Sequence, residues 1–133
     1  MGFVTVEMDV ASLAEPERRA RVRFLADSGA MYTLLPEAIV RQLRLKPVEQ
    51  TVLQVADGRR IRRQLGDARF YFRGKQRIAT VILGKRKDPA LLGVTTLEAF
   101  RLEVDPVRRR VKPMPLLLYS VNPGQVAGAL VAV

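Results

Sequence analysis

The sequence predicts an all-β domain, built mainly from antiparallel strands with one or two short helices. Apolar and polar residues alternate along residues 3–10 and 19–26, which is the period of half-buried strands. Asp57, followed by a glycine, lies between two more strand-like runs, a strong signal for a tight β-hairpin. Helix signals are confined to short stretches near residues 36–43 and 95–100. Strands therefore dominate the expected fold.

The remaining elements follow in order along the chain. The first two runs predict a pair of antiparallel strands, and Pro36 opens a short helix because proline suits a first helical position. Two hairpins, a helix with a capping box and a last hairpin come next. The hairpins comprise residues 49–55 with 61–65, residues 66–72 with 77–83, and residues 102–111, and the capping box pairs Thr95 with Glu98.

The composition is that of one globular domain. The chain has 133 residues, of which 48% are hydrophobic, enough for a modest core. No apolar run reaches the roughly 18 residues of a membrane span, and the first residues lack the pattern of a signal peptide. We therefore expect a cytoplasmic protein without a membrane partner. Residues 1–112 are expected to form the domain, and residues 113–133 an apolar tail that serves as an interface strand or an extension.

The chain contains neither cysteine nor histidine. Their absence excludes disulfides, thiolate and imidazole metal sites, and the Cys–His and Ser–His pairs of many hydrolases. Acid–base chemistry in this protein must therefore use carboxylates, lysines or tyrosines. We expect no metal and no cofactor.

The net charge is +10, from 23 Lys and Arg against 13 Asp and Glu. Such an excess is compatible with nucleic-acid binding. The basic residues, however, fall into short clusters at or near predicted turns, which favours solvated loop ends. The clusters are residues 18–21, 59–63, 85–87 and 108–110.

A basic β-barrel that binds nucleic acid is the alternative from a different class. It needs aromatic side chains among the basic ones to stack on bases. Residues 70–72, Phe-Tyr-Phe, lie between Arg69 and Arg73 and offer such a group. Because neighbouring residues on a strand point to opposite faces, at least one of these rings is more simply a core residue.

Asp27 is the main candidate for a reacting group. It follows the apolar end of the second predicted strand and precedes Ser28 and Gly29. A carboxylate placed where a buried strand breaks, beside a glycine that lets another chain approach, favours catalysis over packing. The structural alternative is an Asx-turn residue that caps the end of the strand.

Residues 24–30, Phe-Leu-Ala-Asp-Ser-Gly-Ala, resemble the active-site motif of retroviral-type aspartic proteases, the retropepsins. That motif reads hydrophobic-hydrophobic-Asp-Thr/Ser-Gly-Ala, and Thr33 matches the hydroxyl residue that follows it. Leu92 and Gly93, ahead of a short helix, resemble the second family signature. The resemblance covers residues 3–112. It departs from the family in having serine for the commoner threonine and a basic flap hairpin with only one glycine.

The resemblance implies a retropepsin-like closed β-barrel half that acts as a symmetric homodimer. Peptide hydrolysis in the family needs two carboxylates about 3 Å apart that share one proton. The chain has a single Asp-Ser-Gly, so Asp27 must meet its mate on a two-fold axis. The implied activity is that of an aspartic endopeptidase that activates water against peptide or protein substrates.

The resemblance also assigns roles around Asp27. Ser28 and Thr33 support the active-site loop, with Ser28 bonding across the two-fold axis. The substrate backbone is bound by Gly29, Ala30 and Met31. The hairpin tip, Ala56, Asp57 and Gly58, closes over the substrate, and Leu92 with Gly93 packs beside the loop. A catalytically inactive dimerisation or binding module of the same fold stays as an alternative.

Overall fold

The computed structural model describes residues 3–115, which form nine strands and two short helices. The strands are β1 Thr5–Ala11, β2 Ala20–Ala26, β3 Thr33–Leu35, β4 Glu49–Gln54, β5 Arg60–Phe72, β6 Lys75–Leu83, β7 Leu91–Leu92, β8 Leu102–Asp105 and β9 Arg110–Pro113. The helices are α1 Glu37–Gln42 and α2 Val94–Ala99. The expected class, mainly antiparallel β with short helices, is confirmed.

Seven strands form one sheet in the order β1-β2-β7-β3-β6-β5-β4. Strand β1 also pairs with β5, so the sheet closes on itself as a barrel and leaves β4 outside the ring. Most pairs are antiparallel, but β2–β7 and β3–β6 are parallel. Strands β8 and β9 form a separate hairpin.

The first two strands pair as the sequence indicates. They are antiparallel, from Thr5 opposite Leu25 to Val10 opposite Ala20. Beyond the pair of Thr5 and Leu25, the Ala26 N–H donates to the Val4 carbonyl at 2.8 Å. The alternating pattern buries one side of both strands and delivers Asp27 to the edge of the barrel.

The prediction of two separate strands at residues 61–65 and 66–72 is wrong. Strand β5 is continuous from Arg60 to Phe72 and changes partner along its length. Its first half pairs with β4 and its second half with β6, with Gln64 and Leu65 in both ladders. Gly66 is a close-packing position, since a Cβ there would lie 2.9 Å from the Lys46 carbonyl oxygen. The sequence pattern predicts a boundary between two strands at this glycine.

The predicted capping box at Thr95 and Glu98 is also wrong. Helix α2 begins at Val94 with Gly93 as its N-cap residue, and no side chain caps it. The Thr95 hydroxyl instead donates to the Met31 carbonyl at 3.0 Å. The Thr95 hydroxyl, which the local pattern predicts as a helix cap, therefore forms a tertiary hydrogen bond. The earlier helix, by contrast, lies within the expected range, and the last hairpin begins where expected but extends two residues further, to Pro113.

The core fills the barrel with side chains from both ends of the domain. Phe24 and Phe70 are fully buried, with ring centroids 6.2 Å apart. Burying a side chain of this size stabilises the fold by about 1.5–3 kcal/mol. Around these rings pack alternate residues of the long strands: Val4, Val6, Met8, Val10, Val22, Ala68, Ala79 and Val81.

Among residues 3–115 no helix is long and apolar enough to cross a membrane. The predicted C-terminal tail lies almost wholly outside the described part of the chain, so its role and the domain division at residue 112 stay predictions.

Candidate active site

The Asp27 loop begins where β2 ends. The Asp27 N–H donates to the Leu92 carbonyl at 2.9 Å, which continues the β2–β7 ladder by one residue. The Gly29 N–H donates to Asp27 Oδ1 at 2.9 Å, and the Ala30 N–H to the Asp27 carbonyl at 3.1 Å. This is the Asx-turn geometry of the structural alternative. It uses one carboxylate oxygen only, and no hydrogen bond within residues 3–115 reaches Oδ2.

The loop also excludes larger residues near the carboxylate. A Cβ on Gly29 would lie 3.2 Å from Asp27 Oδ1, tighter than an ordinary contact. Asp27 is half-buried, while Ser28 and Gly29 are exposed. The carboxylate is therefore held by the loop backbone at a position that is not closed off from solvent.

Strand β7 threads between the two ends of this loop. Leu91 and Leu92 pair with Leu25 and Ala26 of β2 on one side, and Leu91 pairs with Leu34 of β3 on the other. Because β7 joins the strand before the loop to the strand after it, Leu92 stands directly beside Asp27.

Gly93 fits only because it has no side chain. A Cβ at this position would lie 2.4 Å from the Tyr32 carbonyl carbon and 2.5 Å from its oxygen. Real Cβ atoms do not approach so closely, so any larger residue would push the loop away. The predicted packing of Leu92 and Gly93 beside the loop agrees with these positions.

Two buried hydroxyl groups lock the loop to helix α2. The Thr33 and Thr96 hydroxyl oxygens lie 2.6 Å apart, and the Gly93 N–H donates to Thr33 Oγ1 at 2.9 Å. Both threonine side chains are fully buried. The sequence pattern singled out Thr33 but missed Thr96, because no local signal marks a hydroxyl whose partner is 63 residues away.

Helix α2 occupies part of the predicted substrate-binding backbone. The Val94 N–H donates to the Ala30 carbonyl, and the N–H and hydroxyl of Thr95 both donate to the Met31 carbonyl. The Met31 carbonyl therefore has both acceptor positions filled, and the Ala30 carbonyl has one of its two filled. The Met31 side chain is 65% exposed at the edge of the loop.

The hairpin tip, Ala56, Asp57 and Gly58, is exposed. It is closed by the Val55 N–H, which donates to the Arg59 carbonyl at 2.9 Å, and Gly58 has a φ of 90° that suits glycine. Hydrogen bonds from the backbone and side chain of Arg59 hold the pKa of Asp57 below its ordinary value. No hydrogen bond in the described region joins the tip to the Asp27 loop.

An ion pair connects the base of the hairpin to the segment beside Asp27. Arg63 on β5 donates from Nε and Nη2 to the two carboxylate oxygens of Asp88, at 2.8 and 3.1 Å. The side chains are only 14% and 18% exposed. The Arg63 hydrogen bond lowers the pKa of Asp88, and the Lys85 N–H that donates to Oδ2 adds to this effect. Sequence reasoning missed this pair, since its members lie 25 residues apart.

The aromatic residues 70–72, which suggested nucleic-acid binding, already pack against other residues of the protein. Phe70 is fully buried in the core. The Arg19 guanidinium lies 3.6 Å from the centre of the Tyr71 ring, and that of Arg73 lies 4.7 Å from the Phe72 ring. Tyr71 also donates its hydroxyl to the Pro16 carbonyl. These contacts leave little ring surface on which bases could stack, which disfavours that alternative.

A closed barrel whose Asp-Ser-Gly loop is held by a second threaded segment is the architecture of retropepsin-like aspartic proteases. The aspartyl protease family model matches residues 14–96, which is more than half of the 133 residues. The chain therefore belongs to the aspartyl protease family, and the resemblance inferred from the sequence is confirmed. A comparison with curated protein sequences finds no match.

Solved structures agree on the fold. The EIAV protease, determined with an inhibitor, has a TM-score of 0.54 and 14% identity over 74% of this chain and 88% of its own. A foamy viral protease-reverse transcriptase in complex with an RNA/DNA hybrid has a TM-score of 0.56 and 17% identity, over 93% of this chain and 14% of its own. A retropepsin-like aspartic protease from Rickettsia conorii is 16% identical over 79% of this chain and 89% of its own, with a TM-score of 0.48.

Proposed function

We propose that the protein is an aspartic endopeptidase whose active site forms between two copies of the chain. The observation that carries the proposal is the Asp27 loop: the Gly29 N–H fixes one carboxylate oxygen, the other has no partner within residues 3–115, and the residue is only half-buried. Among the described residues no group of three or more acidic side chains could hold a metal ion. A second Asp27 is the partner that this geometry and the family suggest.

The chemistry follows from two carboxylates that share one proton. The ionised Asp27 of one protomer takes a proton from water, whose oxygen attacks the peptide carbonyl carbon. The protonated partner's Asp27 gives its proton to the carbonyl oxygen, which produces a neutral tetrahedral diol. The Asp27 that took the proton from water then gives it to the amide nitrogen, while the partner's Asp27, now ionised, takes a proton from one diol hydroxyl, so that the C–N bond breaks and a carboxylic acid and an amine leave. Two carboxylates so close together cannot both be ionised, which supplies the acid and the base at once.

The loop residues bind the extended substrate in this proposal. Because α2 already uses the carbonyls of Ala30 and Met31, we assign the Gly29 carbonyl as acceptor and the Met31 N–H as donor to the substrate main chain. Ser28, which is exposed, bonds across the two-fold axis. The tip residues Ala56 to Gly58 close over the substrate. The cytoplasmic location stays a prediction.

The test is cleavage of a mixed peptide library between mildly acidic and neutral pH. We expect the wild type to cleave extended peptides, Asp27→Asn to lose at least about 1,000-fold in kcat, and a transition-state-mimicking aspartic protease inhibitor to block the reaction. Circular dichroism of Asp27→Asn, which keeps an acceptor for the Gly29 N–H, serves as the control for folding.

Other outcomes have definite meanings. Equal cleavage by the wild type and Asp27→Asn would indicate a contaminating protease and return Asp27 to the role of a turn residue. A dimeric wild-type protein that cleaves nothing and does not bind the inhibitor would instead favour a binding module of the same fold.

A further inference from the structure

We propose that a cluster of basic side chains beside the catalytic cleft selects acidic substrates, with Asp or Glu three or four positions from the scissile bond. The cluster, called the basic rim here, consists of Arg60, Arg62, Lys85, Arg86 and Lys87. This inference rests on the proposed endopeptidase function and specifies its substrate class.

The loop part of the rim is tied to the catalytic loop through a short piece of chain. Leu92 accepts the hydrogen bond from Asp27 N–H, and Leu25 N–H donates to the Ala90 carbonyl. Lys87 precedes Leu92 by five residues, which span at most about 18 Å of extended chain. A peptide side chain three or four residues from the scissile bond lies about 10–13 Å away along an extended strand. The Lys85–Lys87 loop is therefore within reach of the flanks of a bound peptide.

The hairpin part of the rim is held beside this loop by the ion pair between Arg63 and Asp88. Arg60 and Arg62 are on the same strand as Arg63 and are exposed, with their side chains on the face of β5 opposite to that of Arg63. The charges of Arg63 and Asp88 neutralise each other in this pair. The pair also joins the hairpin to the Lys85–Lys87 loop, two basic segments that are distant in sequence, at one edge of the molecule. The loop then leads into β7, which pairs with β2 beside the Asp27 loop.

The five rim side chains are exposed, and none forms an ion pair within residues 3–115. Of the acidic residues on the same two segments, Asp57 pairs with Arg59 and Asp88 with Arg63, and Glu49, at the start of β4, is the one without an ion pair to residues 3–115. The edge thus carries an uncompensated positive charge. In a symmetric dimer this positive charge would act on both flanks of the substrate, because each protomer contributes one basic rim.

The turn that displays three of these charges is constrained. The Asp88 N–H donates to the Lys85 carbonyl at 3.0 Å, and Lys87 has a φ of 73°, which non-glycine residues adopt rarely. The Asp88 carboxylate, fixed by Arg63, accepts the Lys85 N–H and holds the turn in this form. The ion pair therefore orients the turn as well as connecting it to the hairpin.

A peptide fits this edge better than a nucleic acid does. Neither the hairpin, residues 49–64, nor the loop, residues 84–90, contains an aromatic residue on which a base could stack. The edge also adjoins the proposed catalytic cleft, through which the substrate peptide must pass. Charge complementarity raises the encounter rate and the local concentration of an acidic substrate, which lowers KM and leaves kcat little changed.

The experiment compares two fluorescent peptides with the same cleavable centre, taken from the library test, flanked either by Glu or by Gln. We expect kcat/KM for the Glu peptide to exceed that for the Gln peptide by about tenfold at low salt, and the ratio to approach one near 0.5 M salt as screening shortens the reach of the charges. In the variant K85Q/R86Q/K87Q the ratio should fall to about twofold or less at low salt, with kcat on the Gln peptide unchanged.

The turn between β8 and β9 provides a matched control. The variant R108Q/R109Q/R110Q removes the same three charges from an exposed turn that also contains a residue with positive φ, Arg109 at 52°. It should keep the tenfold preference. An equal loss of preference in both triple variants, or none in K85Q/R86Q/K87Q, would overturn the proposal.

Binding separates this proposal from the proposed activity and from nucleic-acid recognition. If neither peptide is cleaved, fluorescence anisotropy measures how tightly each peptide binds to Asp27→Asn. Tighter binding of the Glu peptide that is lost when K85Q/R86Q/K87Q is added supports the basic rim, and equal binding of the two peptides overturns the proposal. A single-stranded 20-nucleotide DNA whose binding requires the rim, together with a Glu/Gln ratio near one, would assign this edge to nucleic acid and contradict the proposal.

Discussion

At the residue scale, the candidate site depends on a buried hydroxyl pair as much as on its carboxylate. Thr33 Oγ1 contacts both the Gly93 N–H and the Thr96 hydroxyl, and it is fully buried. A buried donor or acceptor left without a partner costs about 1–3 kcal/mol. The threonine therefore connects the loop, the threaded segment and the helix at one atom.

Thr33→Val should lower the free energy of unfolding by about 2–4 kcal/mol, because it leaves the Gly93 N–H and the Thr96 hydroxyl short of a partner. Thr96→Val should lower the free energy of unfolding by less, since Thr33 Oγ1 still accepts the hydrogen bond from the Gly93 N–H. Urea unfolding at one fixed protein concentration measures both. Thr33→Ser keeps the hydroxyl and serves as the control. A Thr33→Val protein as stable as wild type would show that the buried bonds contribute nothing net.

At the scale of elements, the long strand β5 connects the barrel to the hairpin that turns at Asp57. Its second half pairs with β6 inside the ring, while its first half pairs only with β4 and projects beyond it. Arg63 belongs to this projecting half, and its bond to Asp88 attaches the hairpin to the loop before β7. The ion pair is thus placed to limit movement of the hairpin at its base.

Asp88→Asn should destabilise the protein by about 1–3 kcal/mol at pH 7, since Arg63 loses a charged partner in a half-buried site. The folded-state pKa of Asp88 is lowered, so its contribution is present above the unfolded value near 4 and is lost as pH falls through the folded pKa. The stability difference between wild type and Asp88→Asn should therefore shrink below about pH 4.

Unfolding curves of the wild type, Asp88→Asn, Arg63→Gln and the double variant at several pH values test this pair. The double-variant cycle isolates the coupling between the two residues. A coupling energy near zero, or a difference that stays constant down to the acid limit, would contradict the assignment.

Much of the architecture at this scale could be predicted from local patterns. The strand pair that carries Asp27, the hairpin at Asp57 and the final hairpin follow from alternation and turn residues. The continuity of β5 and the start of α2 could not be predicted. Gly66 and Thr95 meet partners distant in sequence, and those contacts override the local signal.

At the scale of the whole molecule, one chain supplies one barrel and one Asp-Ser-Gly loop. The mechanism that we propose needs two carboxylates, and it would make activity a property of the dimer. Mixed dimers of wild type and Asp27→Asn would contain a single Asp27 and should be inactive.

We therefore expect Asp27→Asn chains to inhibit the wild type when subunits exchange. With random pairing, an equal amount of variant should halve the activity of a fixed amount of wild type, and a ninefold excess should leave about one tenth. Arg108→Gln, which lies on an exposed turn, is the control and should not inhibit. Activity that is unaffected by excess Asp27→Asn would show that a single chain is sufficient.

The sequence by itself determined the class of fold and the identity of the candidate residues. Strand alternation, the Asp-Gly turn and the motif at residues 24–30 are local patterns, so the aspartyl protease family could be inferred before any contact was known. The absence of cysteine and histidine narrowed the possible acid–base chemistry to carboxylates, lysines and tyrosines.

Only the tertiary structure decided which of those residues meet. The hydroxyl pair of Thr33 and Thr96 and the ion pair of Arg63 and Asp88 join positions 63 and 25 residues apart. No periodicity or motif encodes such pairings, because they depend on how the barrel closes and how β7 threads beside the Asp27 loop. The basic rim has the same origin: two charge clusters that read as separate solvated loops become one edge when Asp88 binds Arg63.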